Sequence, residues 1–321
     1  MRLTLNAVAA LTMATMSLMH TLPATAQSYP TKRITLIVPL PAGASSDGIA
    51  RIYAEKLKDR LGQPVIVENR VGNGGVIGLD ALAKSAPDGY TLGLLSQVIV
   101  TPRGLLQNAS FDGTKDFALF GRVSSSPFVI VAPAETGVKT LSEFVNLAKS
   151  KPGALNYGVV PNSLMQIDMV RFMQANQVKI QEVPFNGAAP IATALLSNQI
   201  QMSFIGTSGF PHFKTGKLVP LAVTSRARWS LAPEIATTIE QGLNFESSFW
   251  YGFGGPAALP ADITNRLVRD ISEVSKLTEV RDLVKKLNMD PLDPSPAEML
   301  EHTRREREQG AAVAKSLNIA L

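Results

Sequence analysis

Two glycine-containing stretches dominate the first third of the chain: "VPLPAGASSD" (residues 38–47) and "NRVGNGGVIG" (residues 69–78). Each follows a short apolar run typical of a buried strand and precedes apolar residues at helical spacing. Helix N-termini carry unpaired backbone N–H groups and a partial positive charge, and glycine lets a ligand approach the backbone closely. The pattern therefore predicts two strand-to-helix loops that suit an anion.

The kind of anion is narrowed by what these loops lack. Neither contains the G-x-x-x-x-G-K-[ST] pattern of a phosphate-binding loop, and the dinucleotide pattern G-x-G-x-x-G fails because position 77 is Ile77. Backbone amides without a lysine suit a singly charged, planar carboxylate. The alternative is that the glycines serve only to make tight turns, which is less satisfactory for two such loops in adjacent units.

The N-terminal segment predicts export. Arg2 precedes an apolar run over residues 7–19, and "ATA" at residues 24–26 has the small-x-small pattern of a cleavage site. We predict a signal peptide over residues 1–26, cleaved after Ala26, and a periplasmic mature protein. A membrane anchor is the alternative, but the apolar run is shorter than the ~20 residues that a span requires.

Composition excludes several classes of function. The chain has 321 residues, 45% hydrophobic and 18% charged, which is typical of globular proteins with a large core or two lobes. It has no cysteine, so thiol catalysis, disulfides and cysteine-based metal sites are excluded. The net charge of +5 is small and scattered, so no nucleic-acid partner is expected.

An enzyme is the less favoured alternative. After signal removal only His212 and His302 remain as histidines, and they lie far apart in sequence. A hydrolase would need a clustered acid, base and nucleophile, which these residues do not supply. We therefore expect no catalytic residues, no cofactor and no metal.

Strand and helix patterns alternate along most of the chain, which predicts an α/β fold with mostly parallel sheets. The alternation occurs twice and ends in a helical tail, which predicts two lobes. We expect lobe 1 to comprise residues 27–125 plus 247–321, and lobe 2 residues 126–246. In such sheets ligands bind beyond the carboxyl ends of the strands, where the two glycine-containing loops lie.

Seven motifs in the right order carry a family resemblance. They are "YPTKRITLIVPLPAGASSD", "RLGQPVIVENRVGNGGVIG", "APDGYTL", "KDF", "VPFNGAAP", "GKLVPLAVTS" and "WYGFGGPAALP". The chain resembles the Bug-type periplasmic solute-binding proteins of tripartite tricarboxylate transport systems over nearly its whole mature length. The resemblance implies a type II, two-lobed (Venus-flytrap) fold that acts as a monomer and closes on a small organic acid for a membrane permease. A sensory protein that docks on a receptor when loaded is an alternative.

The resemblance also implies a set of ligand-binding residues. In lobe 1 they are Pro41, Ala42, Gly43, Ala44, Ser45, Ser46, Asp47, Asn73, Gly74, Gly75 and Ser96. In lobe 2 they are Asn162, Ser163, Phe185, Gly187, Ala188 and Thr207.

This chain departs from the family pattern mainly in lobe 2. Val159, Val160 and Pro161 replace small polar residues, and Gln201 replaces an acid. With fewer acidic side chains, the chain is less suited to an amino-acid ligand, whose ammonium group needs a carboxylate partner. More apolar cleft walls favour an aromatic or aliphatic acid.

Several conspicuous residues have two interpretations. Asp47 is either a ligand-orienting acid or a helix N-cap, and Arg70 either meets the ligand or pairs with Glu68. Trp229, Trp250 and Tyr251 are expected to pack in the core rather than stack on a ligand, and both histidines are expected at the surface.

Overall fold

The computed structural model describes residues 29–100, 109–161, 163–206, 212–213 and 215–316. The expected signal peptide and two of the expected site residues, Asn162 and Thr207, lie outside these ranges.

The described chain alternates strands and helices as expected. The strands are β1 (Ile34–Val38), β2 (Val65–Asn69), β3 (Thr91–Ser96), β4 (Phe117–Pro127), β5 (Val129–Pro133), β6 (Asn156–Val159), β7 (Gln181–Pro184), β8 (Ser203–Ile205), β9 (Leu218–Val223), β10 (Ser248–Pro256) and β11 (Asp290–Pro291). The α-helices are α1 (Ser45–Leu61), α2 (Val76–Ala83), α3 (Leu141–Ser150), α4 (Leu164–Asn176), α5 (Ala188–Leu196), α6 (Ala261–Ser275), α7 (Thr278–Lys286) and α8 (Pro296–Ser316). Among the described residues no helix is long and apolar enough to span a bilayer.

The strands divide into two groups. A six-stranded sheet has the order β11-β4-β10-β3-β1-β2, and the strands between β4 and β10 in sequence form a three-stranded sheet, β8-β5-β9, and a pair, β6-β7. The chain therefore has a two-lobed α/β fold, with one group of strands in each lobe.

The expectation of mostly parallel sheets is corrected in detail. Parallel pairing is found for β2, β1 and β3 and for β6 with β7, whereas β10 is antiparallel to both β3 and β4, and β5 is antiparallel to β8 and β9. The reason is topological, because β4 and β10 lead the chain out of the large sheet and back into it, and so run in opposite directions. The parallel strands are the ones that position the loops of interest.

Both faces of the large sheet are covered. Helix α1 buries Tyr53 and Leu57 against one face, and α2 buries Leu79 and Leu82 against the other. The helix α1 ends at Gly62, whose φ of 68° is the left-handed conformation that glycine adopts readily. The second lobe has its own aromatic core, formed by Phe144, Phe172, Phe204 and Phe245.

The chain crosses between the two groups of strands at two adjacent points. One lies between β4 and β5, and the other lies just before β10. Thr224 joins them: its N–H donates to Phe128 O (2.9 Å), and its O–H donates to Ser247 O (2.7 Å). Because Thr224 is fully buried, these bonds are shielded from water. The two crossings are therefore tied together, and we call them the hinge (residues 127–128, 224 and 246–248).

The last helix contacts both lobes rather than the first alone. Near its start Met299 packs in the core of the large sheet, against the side of Trp250. Near its end Val313 packs against Ile167 and Val170 of α4, in the second lobe. Helix α8 therefore bridges the two lobes.

Candidate functional site

The first glycine-containing loop lies between β1 and α1. Residues 41–44 are exposed, and α1 begins directly after Ala44, whose extended backbone makes it the N-cap without a side-chain hydrogen bond. Gly43 has φ +82°, and a Cβ built on it meets nothing within 4 Å. The Ser45 N–H, in the first turn, has no acceptor one turn earlier, as at any helix N-terminus, whereas Ser46 is completely buried and its N–H is hydrogen-bonded to the Tyr251 hydroxyl. This end of α1 is therefore open to a ligand from the side of Gly43.

Asp47 holds this loop in shape from within. Its Oδ2 accepts the Gly43 N–H (3.0 Å) and the Nε–H of Arg51 (2.9 Å), and its Oδ1 accepts Asn69 Nδ2 (3.1 Å). The hydrogen bond from Arg51, helped by those from Gly43 and Asn69, holds the pKa of the Asp47 carboxyl below its ordinary value. Asp47 is not the N-cap, because Ala44 occupies that position and Asp47 is the third residue of the helix.

Asn69 connects the first loop to the strand beside it. Its Nδ2 also donates to Leu40 O (3.1 Å), and its Oδ1 accepts Arg51 Nη2 (3.3 Å). Neither Asn69 nor Arg51 was expected at the site. The signal was present, because Asn69 ends a strand parallel to β1 and Arg51 lies four residues after Asp47, on the same helix face.

The second loop is built from residues with left-handed backbone. Gly72, Asn73, Gly74 and Gly75 have φ values of 138°, 46°, 64° and 105°. The last three form a single 3₁₀ turn that leads into α2. A Cβ on Gly74 meets nothing within 4 Å, so this loop also faces open space.

The two loops pack against each other. Arg70 N–H donates to Val38 O (2.9 Å), and a Cβ on Gly78 would lie 2.7 Å from Arg70 O and 2.9 Å from Pro39 Cα. Only glycine permits this approach. Because β2, β1 and β3 are parallel neighbours, the expected residues 41–47, 73–75 and Ser96 are brought to one edge of the sheet.

Ser96 lies beside the start of α1 through Tyr251. It is buried at the end of β3 and is the cross-strand partner of Tyr251, whose hydroxyl lies 3.3 Å from Ser45 Oγ. Burial raises the pKa of the Tyr251 hydroxyl, which therefore stays protonated at neutral pH. Tyr251 therefore contacts the end of the first glycine-containing loop, at the start of α1, from the side of the buried sheet.

The second lobe brings a smaller set of expected residues together. Ser163 precedes α4, but its hydroxyl donates to Val160 O (2.6 Å) instead of capping the helix. The Phe185 N–H donates to Val159 O (2.8 Å), so the segments that follow β6 and β7 are neighbours. Gly187 has φ 143° and is the N-cap of α5, whose first residue is Ala188.

One expectation about the second lobe is corrected. Val159 is completely buried in the lobe 2 core, and Val160 is partly buried against another part of it. Only Pro161 of these three is exposed. An apolar cleft wall can therefore rest on Pro161 and the half-buried Phe185, and not on Val159, because the last residue of β6 points into the core.

The expectations for the other conspicuous residues are partly confirmed and partly wrong. Arg70 pairs with Glu68 (Nε to Oε1, 2.6 Å), and Trp229, Trp250 and Tyr251 are buried, as expected. The surface location expected for His302 is wrong, because α8 buries its side chain to 5% exposure beside Trp250. Within the described residues, no three His, Asp or Glu side chains are grouped as metal ligands.

A family model described as "Tripartite tricarboxylate transporter family receptor" (TctC) matches residues 49–319. The protein BugT of Bordetella pertussis is 32% identical over 256 residues, which are 78% of each chain. The chain belongs to the TctC family of periplasmic solute-binding proteins.

Solved structures agree with this assignment. A TctC solute-binding protein from Polaromonas, without ligand, has a TM-score of 0.81 and 26% identity, covering 90% of this chain and 100% of that one. An R. palustris protein with adipate has a TM-score of 0.74 and 26% identity (91% and 99% covered). MatC from Rhodopseudomonas palustris, with bound malate, has a TM-score of 0.70 and 25% identity (89% and 99% covered). Of these three neighbours, the Polaromonas protein is described as a solute-binding protein, and the other two hold adipate and malate.

Proposed function

We propose that this protein captures a small organic acid between its lobes, with a ligand carboxylate held by the backbone at residues 41–47 and 73–75. The observation that carries the proposal is the pairing of two exposed strand-to-helix loops at neighbouring parallel strand ends, with open space in front of Gly43 and Gly74. Backbone N–H groups at helix starts attract anions. Asp47 does not oppose this attraction, because Arg51 neutralises its charge.

Lobe 2 is proposed to cover the body of the ligand. We take lobe 1 as residues 27–125 plus 247–321 and lobe 2 as residues 126–246. The lobe 2 residues proposed to contact the ligand are Asn162, Ser163, Phe185, Gly187, Ala188 and Thr207. The adipate and malate in the neighbouring structures support a carboxylate as the ligand class. Exposed Pro161 and half-buried Phe185 favour an acid with an aliphatic or aromatic body.

The cellular role follows from the family. We propose that the chain is exported by the signal in residues 1–26, works in the periplasm as a monomer, and delivers its ligand to the permease of a tripartite tricarboxylate transport system. No step of this role requires a cofactor or a reaction at the site.

Thermal unfolding of the chain from Gln27 onward tests the ligand class. We would use malate, adipate, benzoate and glutamate as probes. A ligand at about a hundredfold excess over Kd stabilises by about 2.7 kcal/mol, which raises the Tm by several degrees for a protein of this size. We expect a shift with at least one of the first three acids and none with glutamate. If no acid shifts the Tm of protein that native mass spectrometry finds empty, the carboxylate proposal is wrong.

Matched glycine variants test the site. Asparagine tolerates positive φ, so Gly43→Asn and Gly74→Asn should fold while their side chains occupy the space in front of the loops. Gly62→Asn is the control, since Gly62 has a similar φ (+68°) and equally open space but lies at the far end of α1. The first two variants should lose the ligand-induced Tm shift and the control should keep it. Equal shifts in all three would place the ligand elsewhere.

A further inference from the structure

A small pocket is lined by residues of four different parts of the fold. Its walls come from α4, from the hinge, from α8 and from Gln97, which directly follows β3. The charged side chains at its wall are Asp168 and Arg171 of α4, Glu246 of the hinge and Glu306 of α8. This pocket is separate from the loops that follow β1 and β2.

Asp168 is the centre of the polar contacts. Its Oδ1 accepts a hydrogen bond from Arg171 Nη1 (2.8 Å), and its Oδ2 accepts one from the Ser247 hydroxyl. Arg171 Nη2 also donates to the Glu246 carbonyl oxygen (3.4 Å), and its guanidinium lies over the ring of Phe245. Helix α4 of lobe 2 is thereby fastened to the hinge segment that leads into β10.

The α8 side of the pocket is fixed to lobe 1. Glu306 accepts the indole N–H of Trp250 (3.0 Å) and lies 3.1 Å from His302 Nε2. Arg305 lies 3.8 Å from Glu246 Oε1 and 3.2 Å from His302 Nδ1. Asp168 therefore faces the negative charge of Glu306 across the pocket, at a boundary between elements of the two lobes.

The charged groups here are paired with one another, so they do not require a ligand. A rotation of lobe 2 about the hinge would, however, move Asp168 relative to Ser247 and Glu306. We propose that Asp168, Arg171, Ser247 and Glu306 form an acid-responsive latch, in which protonation of Asp168 favours the lobe arrangement seen here and its ionisation favours rotation of lobe 2 away from α8.

The direction follows from the environment of Asp168. Burial raises the pKa of its carboxyl to about 6, opposed by Arg171 and Ser247 and reinforced by the charge of Glu306. A rotation that exposes Asp168 to water and removes it from Glu306 would return its pKa toward the ordinary value near 4. The present arrangement then binds the proton more tightly, so lowering the pH through 6 must favour it. The other charged groups that face Asp168 (Arg171, Glu246, His302 and Arg305) are already partnered.

Inter-lobe distance in ligand-free protein tests the latch, independently of the ligand proposed above. The chain has no cysteine, so Asp59→Cys on α1 and Lys149→Cys on α3, both exposed, accept spin labels at defined sites of the two lobes. Pulsed electron paramagnetic resonance between pH 4 and 8 should show two distance populations that exchange with a midpoint below pH 6, between the pKa values of Asp168 in the two arrangements. Asp168→Asn should give a single distance distribution that does not change with pH and that matches the distribution of the wild type at low pH.

Two further variants should move the midpoint in opposite directions. Ser247→Ala removes a donor to the ionised carboxylate and should raise the midpoint by about half a pH unit, and Glu306→Gln removes a like charge and should lower it. Asp270→Asn is the control, because Asp270 is also a buried aspartate paired with an arginine, Arg60, but both belong to elements packed on the large sheet. It should leave the midpoint unchanged.

The latch is overturned by a distance distribution that does not change with pH. It is equally overturned if the change persists in Asp168→Asn. If that variant fails to fold, Ser247→Ala and Glu306→Gln decide the matter: midpoints shifted in opposite directions support the latch, and unshifted midpoints or shifts in the same direction contradict it.

Discussion

The loops of the two lobes are built differently. In lobe 1, Asp47 binds the Gly43 N–H, Asn69 binds Leu40 O, and Gly78 lets the second loop rest on Pro39. In lobe 2, the Ser163 hydroxyl donates to Val160 O and the Phe185 N–H donates to Val159 O. Under the function proposed above, the side-chain-braced loops of lobe 1, which we call the platform, hold the ligand carboxylate, and lobe 2 contacts the part of the ligand that varies.

The largest effect is expected from breaking the platform. Asp47→Ala leaves the Gly43 N–H, Asn69 and Arg51 without their acceptor, and it should lower the free energy of unfolding by about 2–3 kcal/mol and abolish acid binding. Urea unfolding and calorimetric titration with malate and adipate measure both. Asp59→Ala, an exposed aspartate on the same helix, should change neither.

The same carboxyl predicts a pH dependence. Because the folded-state pKa of Asp47 is depressed, its contribution to stability is present above the ordinary pKa near 4 and is lost as the pH falls through the lower folded-state value. The gap in stability between wild type and Asp47→Ala should therefore shrink below pH 4. A gap that stays constant to pH 2 would contradict this view of Asp47.

A smaller effect is expected from separating the two lobe 1 loops. A methyl group at Gly78 meets backbone atoms of Arg70 and Pro39, which cannot move aside cheaply, so Gly78→Ala should destabilise by about 1–2 kcal/mol despite the better helix propensity of alanine. Gly48→Ala is the control, since its new methyl meets only the flexible side chain of Leu287. If the two variants have equal stability, the loops are not held by this contact.

The smallest loss of stability is expected from a substitution in lobe 2. That substitution should instead change the selectivity of the protein between two acids. Ser163→Ala and the control Ser150→Ala each remove a hydroxyl bond to the carbonyl three residues earlier (2.6 and 2.8 Å), so each should cost less than about 1 kcal/mol. Only Ser163→Ala should alter the ratio of affinities for adipate and malate. An unchanged ratio would remove Ser163 from the proposed ligand contacts.

Sequence patterns predicted an alternation of strands and helices along most of the chain, but β4, β10 and the two-residue β11 were not among the predicted strands. The reason is visible in β10, "SFWYGFGGP", where three glycines interrupt the alternation of side chains. A Cβ on Gly252 would lie 2.7 Å from Gly121 O, and one on Gly254 would lie 2.6 Å from Ala118 O. These glycines reflect close packing between neighbouring strands with irregular register, which no periodicity reveals.

The site was predictable where it depends on local chemistry. Strand-to-helix loops rich in glycine indicated the platform, because helix starts and positive φ have sequence signals. The contact from Asn69 to Asp47 spans 22 residues and could be expected only if β1 and β2 were taken as parallel neighbours. The burial of His302 had no sequence signal, because it depends on how α8 packs beside Trp250. The orientation of Val159 into the core likewise depends on the lobe 2 sheet.

The most direct test of the platform is to observe its amides during titration with an acid. Selective ¹⁵N labelling of serine and glycine, with assignment by Ser45→Ala, Ser46→Ala and Gly74→Asn, would follow the N–H signals of Ser45, Ser46 and Gly74. We expect these signals to shift in parallel with binding of malate or adipate. If an acid stabilises the protein while these three signals stay fixed, the lobe 1 loops do not hold the carboxylate.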